Sequence, residues 1–120
     1  MRWFTVFTQV CLSIAISACS SNQAPREPSA EDQIRAVIQQ GVDAWNRKDA
    51  NGYGAVYCPR QRERRMQEIT GVSADKTGIS VGTISINGGE AVAEITYTTG
   101  SRSEKVKEEF RYQDGQWLFC

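Results

Sequence analysis

Histidine is missing altogether from the 120 residues of this chain. With it go the commonest general base at neutral pH and the commonest zinc ligand, so Ser-His and Cys-His nucleophile pairs and histidine-rich metal sites are excluded. Any enzyme built from this chain would have to work with carboxylates, tyrosines or an activated water. Net charge is missing too, because 14 Lys plus Arg balance 14 Asp plus Glu. No broad positive field gathers phosphates, and nucleic acid is not an expected partner. No hydrophobic run reaches the ~20 residues a membrane-spanning helix needs; the longest, 3–18, is mostly apolar and follows a single Arg2. What is present suffices for one domain and one core.

The charged residue and short apolar run over 1–18 read as a signal peptide. The run ends in Ile16-Ser17-Ala18-Cys19, which resembles the bacterial lipobox, with Ile16 where leucine is usual. The resemblance implies cleavage before Cys19, diacylglycerol on that cysteine, and anchorage to the outer face of the cell membrane or outer membrane. Cleavage near Ala18 without lipid, and an uncleaved anchor, are the alternatives. Each buried methylene of a lipid chain contributes about 0.8 kcal/mol, so two chains hold firmly where one holds reversibly. Residues 19–29 are polar and carry Pro25 and Pro28, a composition that buries no core and suits a spacer between lipid and domain.

Of the four cysteines, Cys11 lies in the signal segment and Cys19 would be modified, which leaves Cys58 and Cys120. In an oxidising compartment such a pair forms a disulfide. Two cysteines without histidine or a carboxylate cluster do not make a four-ligand metal site, and no metal or cofactor is expected.

Ser29 and Asp32 have the spacing of a capping box, and Ile34, Val37, Ile38, Val42 and Trp45 follow at helical intervals. A helix is expected from about 30 to 47, with a soft spot at Gly41. Asp49 is placed to cap a second, short helix carrying Tyr53, Val56 and Tyr57, and Pro59 to open a third as far as about Thr70. After Gly78 the apolar period becomes two. Segments 79–86, 91–99, 104–112 and 116–120 read as an antiparallel meander. Asp114-Gly115 is a two-residue hairpin turn that sets Tyr112 opposite Trp117 and Phe110 opposite Phe119. A four-residue loop at 100–103 would set Tyr97 opposite Val106 and Ala93 opposite Phe110. One inner face then gathers Ile84, Ile86, Ala91, Ala93, Ile95, Tyr97, Val106, Phe110, Tyr112, Trp117 and Phe119, while Lys105, Lys107, Glu109 and Arg111 face away.

This α+β order, two to three helices and then a curved four-stranded antiparallel sheet, resembles the nuclear-transport-factor-like superfamily, also called SnoaL-like or cystatin-like. The stretch Ala44-Trp45-Asn46-Arg47-Lys48-Asp49-Ala50-Asn51-Gly52 is similar to its helix-turn-helix signature. The ending from Asp114 to Cys120 is similar to the closing hairpin of small exported actinobacterial members, which pair a cysteine after the second helix with one near the C-terminus. The resemblance covers residues 30–120 and implies a cone with a central pocket. Enzymes of the superfamily usually set an Asp or His pair in that cone. The lack of histidine here therefore implies a non-catalytic module, holding a small apolar ligand or a partner protein of the cell envelope, and no catalytic residue is assigned.

Trp45, Tyr53, Tyr57 and Tyr97 are candidates to line the pocket, since aromatic rings give large contact area and the tyrosines add a hydroxyl, although their spacing also fits plain core. Glu108 falls on the inner face beyond the end of the last strand, at the expected cavity mouth, opposite Ile95 in this register. Burial there would raise its pKa and suit it to proton transfer, the enzymatic alternative; reaching solvent or an arginine is the simpler outcome. Arg60, Arg62, Arg64 and Arg65, interleaved with Glu63 and Glu68, read as a solvated helix face, with anionic head groups as the alternative partner.

Overall fold

Ser29 opens the first helix, its hydroxyl accepting the Asp32 N–H at 3.1 Å, and Glu31 and Asp32 lie in the first turn, where the helix dipole favours negative charge. In the computed structural model, which describes residues 29–71 and 75–120, α1 runs over Ala30–Arg47. The expected signal segment 1–18, Cys19 and the spacer up to residue 28 lie outside the described residues. Lys48 stops α1 in the left-handed conformation, at φ 58°. Asp49 then accepts the Gly52 N–H at 3.0 Å and caps α2, Ala50–Ala55. Pro59 occupies the first turn of α3, Pro59–Glu68, where a missing N–H does no harm; one 3-10 turn, Ile69–Gly71, follows.

The strands are β1 Thr77–Asn87, β2 Glu90–Thr99, β3 Arg102–Gln113 and β4 Gln116–Phe119, in sheet order β1-β2-β3-β4. The expected α+β architecture of helices on a four-stranded meander is what forms. At the β3–β4 turn both Asp114 and Gly115 have positive φ, 52° and 82°, the conformation an Asp-Gly pair accommodates. The pairs Phe110↔Phe119 and Tyr112↔Trp117 follow from it. The β2–β3 register differs from the sequence expectation by two residues. Thr99 pairs with Arg102, so the loop is Gly100-Ser101 and not four residues, with Gly100 at φ 61° taking the position only glycine fills easily. Tyr97 therefore stands opposite Glu104, Ala91 opposite Phe110, and Glu108 opposite Ala93 instead of Ile95. A slip of two leaves every side chain on its expected face.

Between that face and α1 lies the core. Ile34, Ile38, Ala93, Ile95, Phe110 and Val56 are all at most 1% exposed. At the end beside the 88–89 and 114–115 turns, Ile86 and Tyr112 share the inner face yet are 42% and 49% exposed, so the covered core stops short of that end. On the outer face Lys105 pairs with Glu94 at 3.5 Å and Arg111 with Glu90 at 3.8 Å. A bulge between Val81 and Ile84 brings Val81 opposite Ile95 and Ile79 opposite Tyr97, adding two apolar residues to the inner face.

The free edge of β4 is closed by the chain between α2 and α3. The Phe119 N–H donates to the Val56 carbonyl at 2.8 Å and the Cys58 N–H to the Phe119 carbonyl at 2.7 Å, a parallel bridge of Tyr57 with Phe119. One residue further along both chains, Cys58 and Cys120 are joined by the disulfide, with Cα atoms 5.3 Å apart. Strand parity turns Cys120 away from the face of Trp117 and Phe119. That is no obstacle, because Cys58 is its lateral neighbour in the same bridge and faces the same way.

Candidate functional site

The C-terminal half of α1, the start of β1 and the end of β2 border a half-open cavity of about 240 Å³. Trp45, Tyr53, Tyr57, Tyr97 and Glu108, the five residues singled out in the sequence, all line it. Ile38, Val42 and Phe119 add apolar wall, and Gly41 keeps α1 close to its neighbours: a Cβ there would stand 3.2 Å from Val56 Cγ2 and 3.6 Å from Phe119 Cε2. The aromatic wall is continuous. Ring centroids lie 5.0 Å apart for Trp45 and Tyr53, 5.2 Å for Tyr53 and Tyr57, and 5.0 Å for Tyr57 and Phe119, at tilted or edge-on angles that suit ring quadrupoles.

Two hydrogen bonds brace one side of this cavity. Asn46, at the end of α1, donates from Nδ2 to the Thr77 carbonyl at 2.9 Å and accepts the Thr77 N–H on Oδ1 at 2.8 Å. Its amide thus pairs with the first residue of β1 as a strand would. Thr77 and Thr99, both lining residues, share a hydroxyl hydrogen bond of 2.8 Å across β1 and β2. In the sequence Asn46 reads only as part of the helix-turn-helix stretch 44–52; what it holds is 31 residues away, and no local signal shows it.

The polar side of the cavity comes from α2, α3 and β3. The Tyr53 and Tyr57 hydroxyls are 3.1 Å apart. Burial raises both phenols, and at Tyr97 burial and then the negative charge of Glu108 do the same, so all three stay protonated at neutral pH and serve as hydrogen-bonding groups. Glu108 is half-buried. Burial pushes its carboxyl above the usual range, and the Arg65 charge works against that rise. No hydrogen bond or ion pair joins the Glu108 carboxylate to any other described residue.

Arg65 is the site residue that sequence reasoning missed. The solvated-face reading of the basic cluster holds for Arg60 and Arg64, which are exposed, and is corrected for the other two. Arg62 donates to the Gly54 and Tyr57 carbonyls, at 3.0 Å each, and so ties α3 to α2. Arg65 lays its guanidinium over the Tyr57 ring at 4.6 Å, donates from Nη1 to Glu68 at 3.2 Å, and lines the cavity with Glu108. The spacing 62–65 is one helical turn, which could have marked the two as one face of α3; what marked them as inward is the parallel bridge of Tyr57, a tertiary feature. Among the described residues no group of three or more acidic or cysteine side chains could hold a metal ion, and no helix is long and apolar enough to cross a membrane.

No protein-family model matches the sequence, and no curated protein sequence does. Solved structures match the fold. An NTF2-like protein of unknown function from Shewanella oneidensis superposes with a TM-score of 0.60 at 14% identity, over 76% of this chain and 94% of that one. A SEC-C motif containing protein from Rhodopseudomonas palustris gives 0.56 at 18% identity, over 70% and 72%. A de novo designed protein with a curved β-sheet gives 0.56 at 11%, over 72% and 92%. The fold is thus the NTF2-like, or SnoaL-like, one. At these identities the likeness carries the fold alone and does not extend to the exported actinobacterial group.

Proposed function

We propose that the chain is an exported lipoprotein whose NTF2-like domain, held at the membrane by lipid on Cys19, binds a small molecule with an apolar body in its aromatic cavity without transforming it. The observation that carries the binding reading is the cavity itself. At about 240 Å³ it exceeds the roughly 150 Å³ that suffices to bind benzene in an engineered core, and five aromatic residues wall it. Neutral tyrosine hydroxyls orient a guest without reacting with it. Support for export and lipidation is the Ile16-Ser17-Ala18-Cys19 motif behind a short apolar run.

A second reading, proton transfer by Glu108, is favoured by its raised carboxyl at the cavity wall. It ranks below binding because Glu108 is the one carboxylate among the described residues that line the cavity, so no second carboxylate takes the complementary step, and burial keeps the three tyrosines protonated.

Calorimetric titration of the purified protein with a small aromatic hydrocarbon tests the cavity. Binding is expected for the wild type and loss of it for Thr99→Trp, which fills the cavity from its wall. Equal binding by both, or none by the wild type, would refute the reading. For the anchor, intact-mass analysis of membrane-extracted protein should show acyl mass on a chain beginning at Cys19, and Cys19→Ala should abolish it. An unmodified mature chain with another start would remove the lipoprotein reading alone.

A further inference from the structure

Arg65 and Glu108 stand together where the aromatic cavity meets a second cleft, which Gln61, Lys107, Glu109 and Cys120 also border. Lys107 and Glu109 are exposed, so this second cleft faces solvent and gives the junction access from outside. The two junction residues have complementary needs. Arg65 Nε is the one buried side-chain polar atom without a hydrogen-bond partner among the described residues. Glu108 is a half-buried acceptor with no donor among them. They do not answer each other, since no ion pair joins them, and Arg65 already gives Nη1 to Glu68. Arg65 Nε and the half-buried Glu108 carboxylate at the same junction each lack a partner among the described residues, and a guest's head group could supply one.

Four kinds of guest with the same apolar body meet this junction differently. A hydrocarbon leaves both groups idle. An apolar acid satisfies Arg65 but brings a second carboxylate against Glu108. An apolar amine satisfies Glu108 and leaves Arg65 Nε as it was. Only a head group with an anionic acceptor and a cationic donor on one carbon fills both, and charge-assisted bonds of this kind are about twice as strong as neutral ones.

We propose that the cavity receives a free α-amino acid with an aromatic side chain, its carboxylate on Arg65, its ammonium on Glu108 and its ring among Trp45, Tyr53 and Tyr97. This rests on the cavity reading above and names the class of molecule that fits it. Room is sufficient, since a benzene-sized ring needs roughly 150 Å³ and the cavity offers about 240 Å³ with the head group at its open junction. Burial disfavours the charge of Glu108 in the empty site, and an adjacent ammonium restores it.

The test is a calorimetric comparison of L-phenylalanine, phenethylamine, 3-phenylpropionate and ethylbenzene on the purified protein, four probes that share a ring and differ only in the head. L-Phenylalanine should bind at least tenfold more tightly than any of the others. Arg65→Met should lower L-phenylalanine to the affinity of phenethylamine and leave phenethylamine unchanged. Glu108→Gln should weaken L-phenylalanine and strengthen 3-phenylpropionate by relieving like charge. If Arg65→Met fails to fold, Arg65→Lys keeps the charge without the planar fork and should still weaken L-phenylalanine relative to phenethylamine. Binding of ethylbenzene or of either one-group probe as tightly as L-phenylalanine overturns the amino-acid proposal and leaves the cavity reading standing. Silence from all four overturns both.

Discussion

Replacing Cys58 and Cys120 together by alanine should cost this domain on the order of 4 kcal/mol. The bridge closes a loop across a sequence separation of 62 residues, and the chain-entropy relation gives about 4 kcal/mol at 25 °C for a ring of that size. Alanine is the right replacement, because Cys58 is only 7% exposed and a serine would bury an extra hydroxyl. Against a total of about 5–15 kcal/mol for a domain, the loss is a large fraction. At roughly 4–8 °C per kcal/mol for this size, the melting temperature should fall by roughly 16–32 °C. Urea unfolding followed by tryptophan fluorescence reads the change, with wild type reduced by dithiothreitol as the second arm. The two arms should agree, since both remove the same cross-link. A loss below about 1 kcal/mol, or reduced wild type as stable as oxidised, would show that the bridge does not constrain the unfolded chain.

Three further outcomes follow from the geometry. Asn46→Ala removes both bonds to Thr77 and should destabilise by roughly 1–3 kcal/mol, with amide exchange accelerating first at the start of β1. Gly54→Ala should cost about 1–3 kcal/mol, because its Cβ would stand 2.5 Å from Met66 Cγ and 3.1 Å from Arg62 Cγ, forcing α2 and α3 apart; thermal melts check this, and an unchanged midpoint contradicts the packing described. Glu108 has a carboxyl raised above its usual range, so its charge subtracts stability at neutral pH, and that loss disappears as pH falls towards the ordinary glutamate value of about 4.3. Glu108→Gln should therefore melt higher than wild type at pH 7 and converge with it near pH 4, whereas a difference that grows on acidification would reverse the sign assigned here.

Much of the architecture was legible because it is set by neighbours in sequence. Ser29, Asp49 and Pro59 mark three helix starts by local capping chemistry, and the Asp114-Gly115 turn fixes the β3–β4 pairs through its backbone twist. The β2–β3 register was not legible. Gly100 could open either a two-residue or a longer loop, and both keep the same residues inward, so the hydrophobic pattern cannot choose between them. The candidate site shows the same division. Trp45, Tyr53, Tyr57 and Tyr97 are found by periodicity, and Glu108 by counting to the end of β4. Arg65 and Asn46 are not, because what positions each is a contact made by another element: the chain of Tyr57 lying along β4, and the first residue of β1 meeting the end of α1.

The most direct test of the cavity account is a chemical-shift map of the uniformly labelled protein titrated with ethylbenzene. The account predicts saturable shifts confined to the Trp45 indole, the Gly41 and Tyr97 amides and the Ile38 and Val42 methyl groups, all lining residues. No saturable shift at these positions, or shifts centred on the exposed outer face around Val92 and Lys105, would contradict it.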